Sequence, residues 1–590
     1  MTVIATPAYF KSGAETLFGW LHQPPAALRT DAGLVICKPF GYEAICAHGS
    51  LRAFADACAA IGVTVLRFDY AGTGDSTGAE GSADQIAQWC DDIRAAIEAL
   101  RRMSAVKRVA LLGMRLGALL ASQVAARSAT AAAGAAALIA IAPVTNGRRY
   151  LRELRAYQAT AQAIAAEGAA EPIDGALEVT GFSLSAASVA SLLRADLLAA
   201  TVPAAPRALI LDRSDLPGAK PWADALHRLG ADVRYRSLSG FPEMVATPHA
   251  AQIPQAMIAA TVEWLTRWAG PAAPATTTLV PEASMRLAAE DGFALTERAV
   301  FIDEQRTLFA ILTAPAQPAG AAAAAYGVVM LNGGATSHIG PNRMYVELAR
   351  RWAARGYVVL RLDLAGLGDS ATRPGRSGNE VYPPGALEDI AVAIEYLRGT
   401  YGVANITLAG LCAGAYHALR SATSGLPVNT VLLVNPLTFY WKQGSTLNDL
   451  QISEVVRNPG VYAEHILVGQ AWLRVLRGRV NLARVAMVFL RRAWLALDGS
   501  LRDLSRLLHV RLPQDLGWDL QSIAARGVRI VFLFARGDGG ADLLRVQGGS
   551  ALKAIGDRCR IHTIDGADHV FSQRAPRQQL LQLLSSELPR

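Results

Sequence analysis

Apolar residues follow two different periodicities along most of the chain. Short runs rich in β-branched residues, as at 64–68 and 406–411, predict buried strands. Longer segments with apolar positions every three or four residues, as at 51–62 and 387–397, predict helices. Because these strands and helices alternate, the pattern predicts an α/β fold, with a mostly parallel, doubly wound sheet covered by helices on both faces.

The same order of elements occurs twice. Residues 64–76 read TVLRFDYAGTGDS and residues 358–370 read VVLRLDLAGLGDS, so a strand runs into an Asp and a Gly-rich turn in both copies. A second strand then meets a tight turn, in VALLGMRLGA at 109–118 and in ITLAGLCAGA at 406–415. The offset between the copies grows from 294 and 297 residues here to 323 and 320 further on. The second copy is therefore expected to carry a longer insertion, within about 437–520.

A segment rich in Pro, Ala and Thr separates the two copies. It covers residues 269–283 and is typical of a linker. We therefore expect two domains, at 1–269 and 284–590, joined by residues 270–283. Two large domains also suit a chain of 590 residues, of which 52% are hydrophobic and 18% charged.

Composition argues against several classes of protein. The mean hydropathy is +0.24, but no run of about 20 apolar residues is free of charge, and the first residues lack the order of a signal peptide. We therefore expect a soluble, cytoplasmic protein without a transmembrane segment. The six cysteines form no CxxC pair, so neither a metal site nor a disulfide framework is predicted, and we expect no cofactor. The net charge of +8 permits nucleic-acid binding, but no nucleic-acid motif accompanies it, so no such partner is expected.

The tight turn of the second copy carries the candidate chemistry. It reads GLCAG between a predicted strand and a predicted helix, which is the pattern of a nucleophile elbow with Cys412 as the nucleophile. A helix N-terminus and a nearby imidazole both activate a thiol. Asp538 follows the later strand VFLF, and His569 comes 31 residues after it, so these two residues are the candidate acid and base. The other carboxylates that could serve as the acid are Asp542, Asp565 and Asp568.

The chain order of nucleophile, acid and histidine is that of α/β-hydrolases. Both copies resemble α/β-hydrolases of the serine-aminopeptidase-like group, and GMRLGA and GLCAGA also resemble motifs in two small hydrolases of exosortase-A systems. The resemblance implies an oxyanion hole made by the backbone N–H groups of Ala413 and of Gly334, in the loop after the strand YGVVMLN. From the segment HIGPNRMY that follows, His338, Asn342 and Arg343 are candidates for the pocket mouth, the alternative being a scaffold for the loop.

The first copy keeps the turn but lacks the nucleophile. Its motif GMRLG places Arg115 where the second copy has Cys412, and a guanidinium cannot attack a carbonyl carbon. Asp215 and His249 fall near the acid and base positions. We therefore expect a degenerate site. In it, Arg115 either pairs with Asp215 or Glu243 or binds the carboxylate or phosphate of a ligand.

The insertion of the second copy is strongly basic. Residues 471–511 hold nine Arg and two Asp, a net charge of +7, with apolar positions typical of amphipathic helices. The resemblance implies that this insertion is a cap that supplies an apolar acyl pocket. Its basic face is either solvated or contacts an acidic acyl-carrier protein, the phosphates of CoA or an anionic membrane surface. Among these partners we favour the carrier protein or CoA.

These observations predict an acyl hydrolase or acyltransferase that acts on an ester or thioester through an acyl-enzyme at Cys412. Thiolate attack on a thioester is nearly balanced, so a cysteine nucleophile suits acyl exchange. The alternative is a non-catalytic ligand-binding or scaffold protein of a biosynthetic cluster. Arg115 favours this alternative for the first copy, whereas Cys412 together with His569 argues against it for the second.

Overall fold

The computed structural model describes most of the chain. The described residues are 3–79, 81, 83–104, 106–128, 135–164, 175–272, 281–288, 294–316, 326–445, 501–502, 504–506, 508 and 510–589. Two compact units are present. Unit 1 comprises Met1–Val300, Ile311–Ala316 and Ala335–Arg350, and unit 2 comprises Phe301–Ala310, Gln317–Gly334 and Arg351–Arg590. This division differs from the expected boundary at 270–283, because residues 284–300 and 335–350 group with unit 1.

Residues up to Ala269 alternate between strands and helices as expected. The strands are β1 (Ile4–Ser12), β2 (Glu15–Gln23), β3 (Ala32–Cys37), β4 (Thr64–Phe68), β5 (Arg108–Met114), β6 (Ala137–Ile141), β7 (Leu177–Val179), β8 (Phe182–Leu184), β9 (Arg207–Arg213) and β10 (Asp232–Leu238). The helices are α1 (Tyr42–Cys46), α2 (His48–Ala60), α3 (Gln85–Ser104), α4 (Leu116–Ser128), α5 (Gly147–Ile164), α6 (Ala186–Arg194), α7 (Lys220–Arg228), α8 (Phe241–Met244) and α9 (Gln255–Ala269).

Eight of these strands form one sheet in the order β1-β2-β4-β3-β5-β6-β9-β10. The pairs β1–β2 and β2–β4 are antiparallel, and every pair from β4 to β10 is parallel. Strands β3 and β4 are buried along their whole length, because helices pack on both faces of the sheet. Apolar clusters lie on each side of it, one around Trp89 and one around Phe54.

Residues from Ser284 onward repeat this order. The strands are β11 (Ser284–Ala288), β12 (Ala294–Phe301), β13 (Phe309–Pro315), β14 (Tyr326–Leu331), β15 (Val358–Leu362), β16 (Asn405–Leu411), β17 (Thr430–Val434), β18 (Arg529–Ala535) and β19 (Cys559–Ile564). The helices are α10 (Met344–Ala354), α11 (Ala386–Tyr401), α12 (Ala413–Thr423), α13 (Leu516–Ala525), α14 (Gly539–Gly548), α15 (Ala551–Ile555) and α16 (Arg574–Ser586).

Six strands of unit 2 form a parallel sheet in the order β15-β14-β16-β17-β18-β19. This order matches β4-β3-β5-β6-β9-β10 of the first copy, so the sequence repeat is a repeat of sheet topology. The predicted α/β class, with two mostly parallel sheets, is confirmed. Most of the predicted cap lies outside the described residues, which include only 437–445 and part of 501–520 of that insertion.

The repeated Gly-Asp-Ser turn is a structural device in both copies. In unit 2, the Asp363 carboxylate accepts a hydrogen bond from the amide of Asp369 across 2.8 Å. The Ser370 hydroxyl donates to the carbonyl oxygen of Asp363 and accepts from the amide of Phe309. A side chain on Gly368 would meet the Asp363 carboxylate at 2.2 Å, so this position requires glycine. The turn therefore fixes the chain path after β15 and uses its polar atoms to do so.

The first copy repeats these contacts with its own residues. Asp69 accepts from the amide of Asp75 across 3.1 Å, and Ser76 Oγ donates to the carbonyl oxygen of Asp69 while it accepts from the amide of Phe18. The equivalence of the two turns extends from the sequence to individual hydrogen bonds.

No helix among the described residues has the length and apolar character that crossing a membrane requires.

Candidate active site

Cys412 lies at the junction between β16 and α12. Its backbone has φ 57° and ψ −112°, a left-handed conformation that is unusual for any residue other than glycine. The amide of Cys412 donates to the carbonyl oxygen of Val434 at the end of β17, across 2.8 Å. This strained turn is the geometry expected of a nucleophile elbow, in which the side chain stands above the carboxyl edge of the sheet.

Glycines on both sides of Cys412 let the elbow close. A Cβ atom on Gly410 would lie 2.3 Å from the carbonyl carbon of Gly414. A Cβ atom on Gly414 would lie 2.5 Å from the carbonyl oxygen of Leu331, at the end of β14. Only glycine permits such close approach of backbone to backbone. The N-terminus of α12 is therefore held directly against the end of β14.

The loop after β14 contains Gly334, the expected second oxyanion donor. Gly334 is half-buried and has φ 69°, and a side chain there would face open space. Asn332 fixes the start of this loop, since its side-chain amide donates to Asp363 across 2.8 Å and its Oδ1 accepts from the amide of Leu364 across 2.9 Å. Ala413 is the first residue of α12, where backbone N–H groups have no partner within the helix. The roles of the Gly334 and Ala413 N–H groups as oxyanion donors stay a prediction.

His569 and Asp538 are in contact. The distance between His569 Nδ1 and Asp538 Oδ2 is 2.7 Å. Asp538 is also the N-cap of α14, where its Oδ1 accepts from the amide of Gly540 across 2.9 Å. The carboxylate is thus oriented by a helix N-terminus while its other oxygen holds the imidazole.

The three alternative carboxylates have other partners. Asp542 pairs with Arg545 across 2.6 Å, and Asp565 pairs with Arg536. Asp568 accepts from the amide and from the hydroxyl of Ser572, at 2.7 and 2.6 Å. Of the four candidates, Asp538 is the one that the structure brings to His569.

The surroundings of His569 favour its protonated form. Burial by itself lowers the pKa of the imidazole, but the negative charge of Cys412 and the Asp538 carboxylate outweigh it and raise the pKa to about 10. The contact with Asp538 fixes the Nδ1 side of the ring, and the interaction with Cys412 raises the pKa in the same direction.

Asn435 is a residue of this site that the sequence analysis missed. It follows β17 with φ 44°, is fully buried, and donates from Nδ2 to the carbonyl oxygen of His569 across 2.7 Å. Its Oδ1 accepts from the amide of Ala535 at the end of β18, across 2.9 Å. Asn435 thus joins the loop that carries His569, the histidine loop, to the sheet. An Asn directly after a buried strand, next to a Pro, is the sequence signal that could have suggested this role.

His338, Asn342 and Arg343 belong to unit 1. His338 is 1% exposed, and its Nε2 lies 2.7 Å from the carboxylate of Asp75. Arg343 donates from Nε to the carbonyl oxygen of Gly74 across 2.8 Å, and Asn342 is buried. These contacts of His338 and Arg343 suit a scaffold for the loop, and a role at the pocket mouth stays a prediction.

Arg115 occupies the elbow of the first copy with the same left-handed backbone, at φ 53°. Arg115 is 7% exposed, and its guanidinium forms ion pairs with Glu43, across 2.9 Å, and with Glu153. It also lies over the ring of Tyr150, 5.5 Å from the centroid. The expected partners, Asp215 and Glu243, were therefore wrong, because the two glutamates on α1 and α5 enclose the guanidinium.

The other expected first-copy residues do not assemble into an acid–base pair. Asp215 is exposed and accepts from Arg213 Nε across 3.0 Å, and His249 is also exposed. The position that Asn435 holds in the second copy is occupied by Ala142, which has nearly the same φ, 41°, and likewise donates its amide to the next strand. Within the described part of unit 1, the first copy therefore keeps the backbone of the elbow but lacks equivalents of the His569–Asp538 pair and of Asn435.

Two family models match separate regions of the chain. The family described as serine aminopeptidase, S33, matches residues 46–174, and the alpha/beta hydrolase family matches residues 328–583. No curated protein matches the sequence.

Several solved structures are similar to slightly less than half of the chain. An α/β serine hydrolase without a lid from Xanthomonas campestris is 18% identical, covers 47% of this chain and 98% of its own, and has a TM-score of 0.29. Est1E from Butyrivibrio proteoclasticus, with bound ferulic acid, is 17% identical, covers 44% and 98%, and has a TM-score of 0.32. The α/β hydrolase GrgF from Penicillium sp. sh18 is 18% identical, covers 45% and 99%, and has a TM-score of 0.33. The two family models match separate regions, and the two parallel sheets share one strand order, so the chain contains two α/β-hydrolase regions in tandem.

Proposed function

We propose that this hydrolase transfers acyl groups from an ester or thioester, to water or to a second nucleophile, through an acyl-enzyme at Cys412. The observation that carries the proposal is the pairing of His569 with Asp538, at 2.7 Å, beside a cysteine on a strained elbow. A thiol, an imidazole and an orienting carboxylate in this chain order are the parts of a nucleophilic triad.

The proposed reaction proceeds in two halves. His569, oriented by Asp538, takes the proton from Cys412 Sγ, and the sulfur attacks the acyl carbon. The backbone N–H groups of Ala413 and Gly334 bind the oxyanion. The alcohol or thiol leaves with the proton from His569, and the acyl group stays on sulfur. Water or another nucleophile, deprotonated by His569, then attacks the acyl-enzyme and releases the acyl group.

A cysteine nucleophile suits an ester or thioester better than an amide, because thiolate attack on a thioester is nearly balanced. A thiol or alcohol leaving group needs less help from an acid than an amine does. The proposed substrate class is therefore an activated acyl compound.

An acyl-carrier protein or CoA remains the proposed donor of the acyl group, bound at the basic segment 471–511. Three of its nine Arg belong to the described residues, and all three have partners within the chain. Arg506 pairs with Asp515 and Arg511 with Asp519, while Arg502 donates to the carbonyl oxygen of Pro513. The proposal therefore depends on the six Arg between 471 and 500, which lie outside the described residues.

For the first copy we propose a non-catalytic role, as a ligand-binding or scaffold domain. The observation that favours it is the position of Arg115, which replaces the nucleophile and is paired with Glu43 and Glu153. A cavity of about 70 Å³ lies beside Arg115, and Arg149 and Asp212 are among the residues that line it.

Intact-protein mass spectrometry after incubation with acyl thioesters and matched oxygen esters tests the proposed function. We expect the mass of one acyl group on the wild-type protein and on the C559A variant, which removes another half-buried cysteine of unit 2. We expect no acyl adduct and no turnover for C412A. Full activity of C412A would rule out the proposed mechanism. Addition of an amine or alcohol acceptor then distinguishes transfer from hydrolysis by the product formed.

A further inference from the structure

A cluster of aromatic side chains lies in unit 2, after the Gly-Asp-Ser turn and around the start of α12. Tyr382 is buried, and its ring stacks on Trp441 with 4.3 Å between centroids and 28° between planes. The edge of Tyr416 meets Tyr382 at 5.0 Å and 79°. Stacked and edge-to-face contacts of this kind fix the direction of a ring. The hydroxyl of Tyr382 is therefore held in one place.

Tyr382 is connected to the nucleophile through α12. Tyr416 lies one helical turn after Cys412, and its amide donates to the carbonyl oxygen of Cys412 across 3.2 Å. Tyr382 packs directly on the ring of Tyr416. Burial, together with the nearby charge of Cys412, raises the pKa of Tyr382, so its hydroxyl stays protonated and can donate at any working pH.

The hydroxyl of Tyr382 has no hydrogen-bond partner among the described residues, although its oxygen is buried. Buried polar groups are nearly always paired, and an unsatisfied one destabilises the folded protein. Burial of the ring through stacking explains why the side chain is inside. It does not explain why the residue carries a hydroxyl where phenylalanine would avoid the penalty. A group that binds at Cys412 during the reaction would satisfy this donor.

We propose that Tyr382 contacts the substrate at Cys412 and that its hydroxyl donates a hydrogen bond to the acyl oxygen as that oxygen gains negative charge. This inference rests on the proposed function. The sulfur–carbon bond forms as the π electrons of the carbonyl move onto oxygen, where the Tyr382 O–H joins the N–H groups of Ala413 and Gly334. The carbonyl re-forms when the bond to the leaving group breaks, and His569 supplies the proton. Tyr382 keeps its own proton throughout.

The test compares Y382F with Y416F, which keeps its ring and removes a neighbouring hydroxyl. Two rates are measured on each protein: acylation of Cys412 by an acyl thioester, followed by intact mass, and alkylation of Cys412 by iodoacetamide. Alkylation forms no oxyanion and reports only on the sulfur. For Y382F we expect acylation 10- to 100-fold slower at saturating thioester, with half-saturation and alkylation within twofold of wild type. For Y416F both rates should stay within twofold.

The outcomes separate this inference from the proposed function. Acylation of Y382F at the wild-type rate overturns the role of Tyr382 alone. An equal fall in acylation and alkylation also overturns it, because Tyr382 would then act on the sulfur. A wild-type protein that is alkylated at Cys412 but never acylated overturns the proposed function and this inference with it. Circular dichroism and thermal melting of both variants identify any loss that comes from misfolding.

Discussion

The side-chain amide of Asn435 donates a hydrogen bond to the carbonyl oxygen of His569, across 2.7 Å. Replacing Asn435 with alanine removes this bond and the one from the amide of Ala535. The equivalent Ala142 shows that alanine can adopt this backbone. We therefore expect N435A to fold and to lose stability by about 1–3 kcal/mol. We also expect kcat to fall at least about tenfold with little change in KM, because the histidine loop is no longer fixed.

The matched control for N435A is N429A, at the other end of β17. Asn429 also accepts a hydrogen bond from a backbone amide, that of Ile406, across 2.9 Å. Steady-state kinetics and urea denaturation on both variants separate positioning from stability. A loss of stability with an unchanged kcat in N435A would show that Asn435 has a structural role only.

Asp538 is expected to be required for acyl transfer. An amide in its place still accepts from the amide of Gly540 but no longer balances the charge of His569 or fixes its tautomer. We expect kcat/KM of D538N to be lower by about 10²- to 10⁴-fold. D542N, which alters a carboxylate four residues away in an exposed ion pair, should retain nearly full activity. Equal effects of the two substitutions would contradict the assignment of the acid.

The pKa of His569 leads to a prediction about pH. A pKa raised to about 10 in the folded protein, against about 6.5 in the unfolded chain, means that protonated His569 contributes stability below pH 6.5. That contribution is lost as the pH rises through about 10. Acyl transfer should also decline above about pH 10, where His569 no longer supplies a proton to the leaving group.

Titration of His569 by NMR in wild-type and C412A protein checks this prediction. Because the charge of Cys412 contributes to the raised pKa, the titration of His569 in C412A should move to lower pH. In D538N it should move in the same direction. An imidazole that titrates near pH 6.5 in the wild-type protein would contradict the proposed pairing.

Arg115 is expected to be a structural residue of unit 1. Its removal in R115A leaves the half-buried Glu43 and Glu153 without their shared cation, which we expect to destabilise unit 1 by about 1–3 kcal/mol. R207A, which breaks an exposed ion pair with Asp232, should cost less than about 1 kcal/mol. Chemical denaturation of R115A and R207A measures both losses of stability. Acylation of Cys412 in R115A should stay within twofold of wild type, and a large loss would point to a catalytic role for the first copy.

The fold was predictable because its signals are local and occur twice. Buried strands such as VVLRL and the helices between them follow directly from hydrophobic periodicity, and the repeat fixed the register of one copy against the other. The elbow was predictable for the same reason, since Gly410 and Gly414 are required by close backbone contacts within a few residues of Cys412.

Contacts between distant parts of the chain were not predictable in the same way. Asp215 and Glu243, near the predicted acid and base positions, were the expected partners of Arg115, whereas its actual partners Glu43 and Glu153 lie on α1 and α5. His338 was predicted to lie at the pocket mouth because it follows the oxyanion loop closely in sequence. Its partner, Asp75, lies more than 260 residues earlier in the chain. Asn435 escaped notice because neutral amides next to strands are common and its partners are backbone atoms.

The Gly-Asp-Ser turn has a consequence for the comparison of the two copies. Its hydrogen bonds join atoms of the turn to each other and to the neighbouring strand, and they are the same whether cysteine or arginine stands at the elbow. The stretch in which the copies are most alike therefore carries no information about which of them has a nucleophile. Two positions distinguish the copies instead. The elbow position holds Cys412 in one copy and Arg115 in the other, and the position after the next strand holds Asn435 or Ala142. A survey of tandem chains of this kind would classify their halves by these two positions and use the turn only to align them.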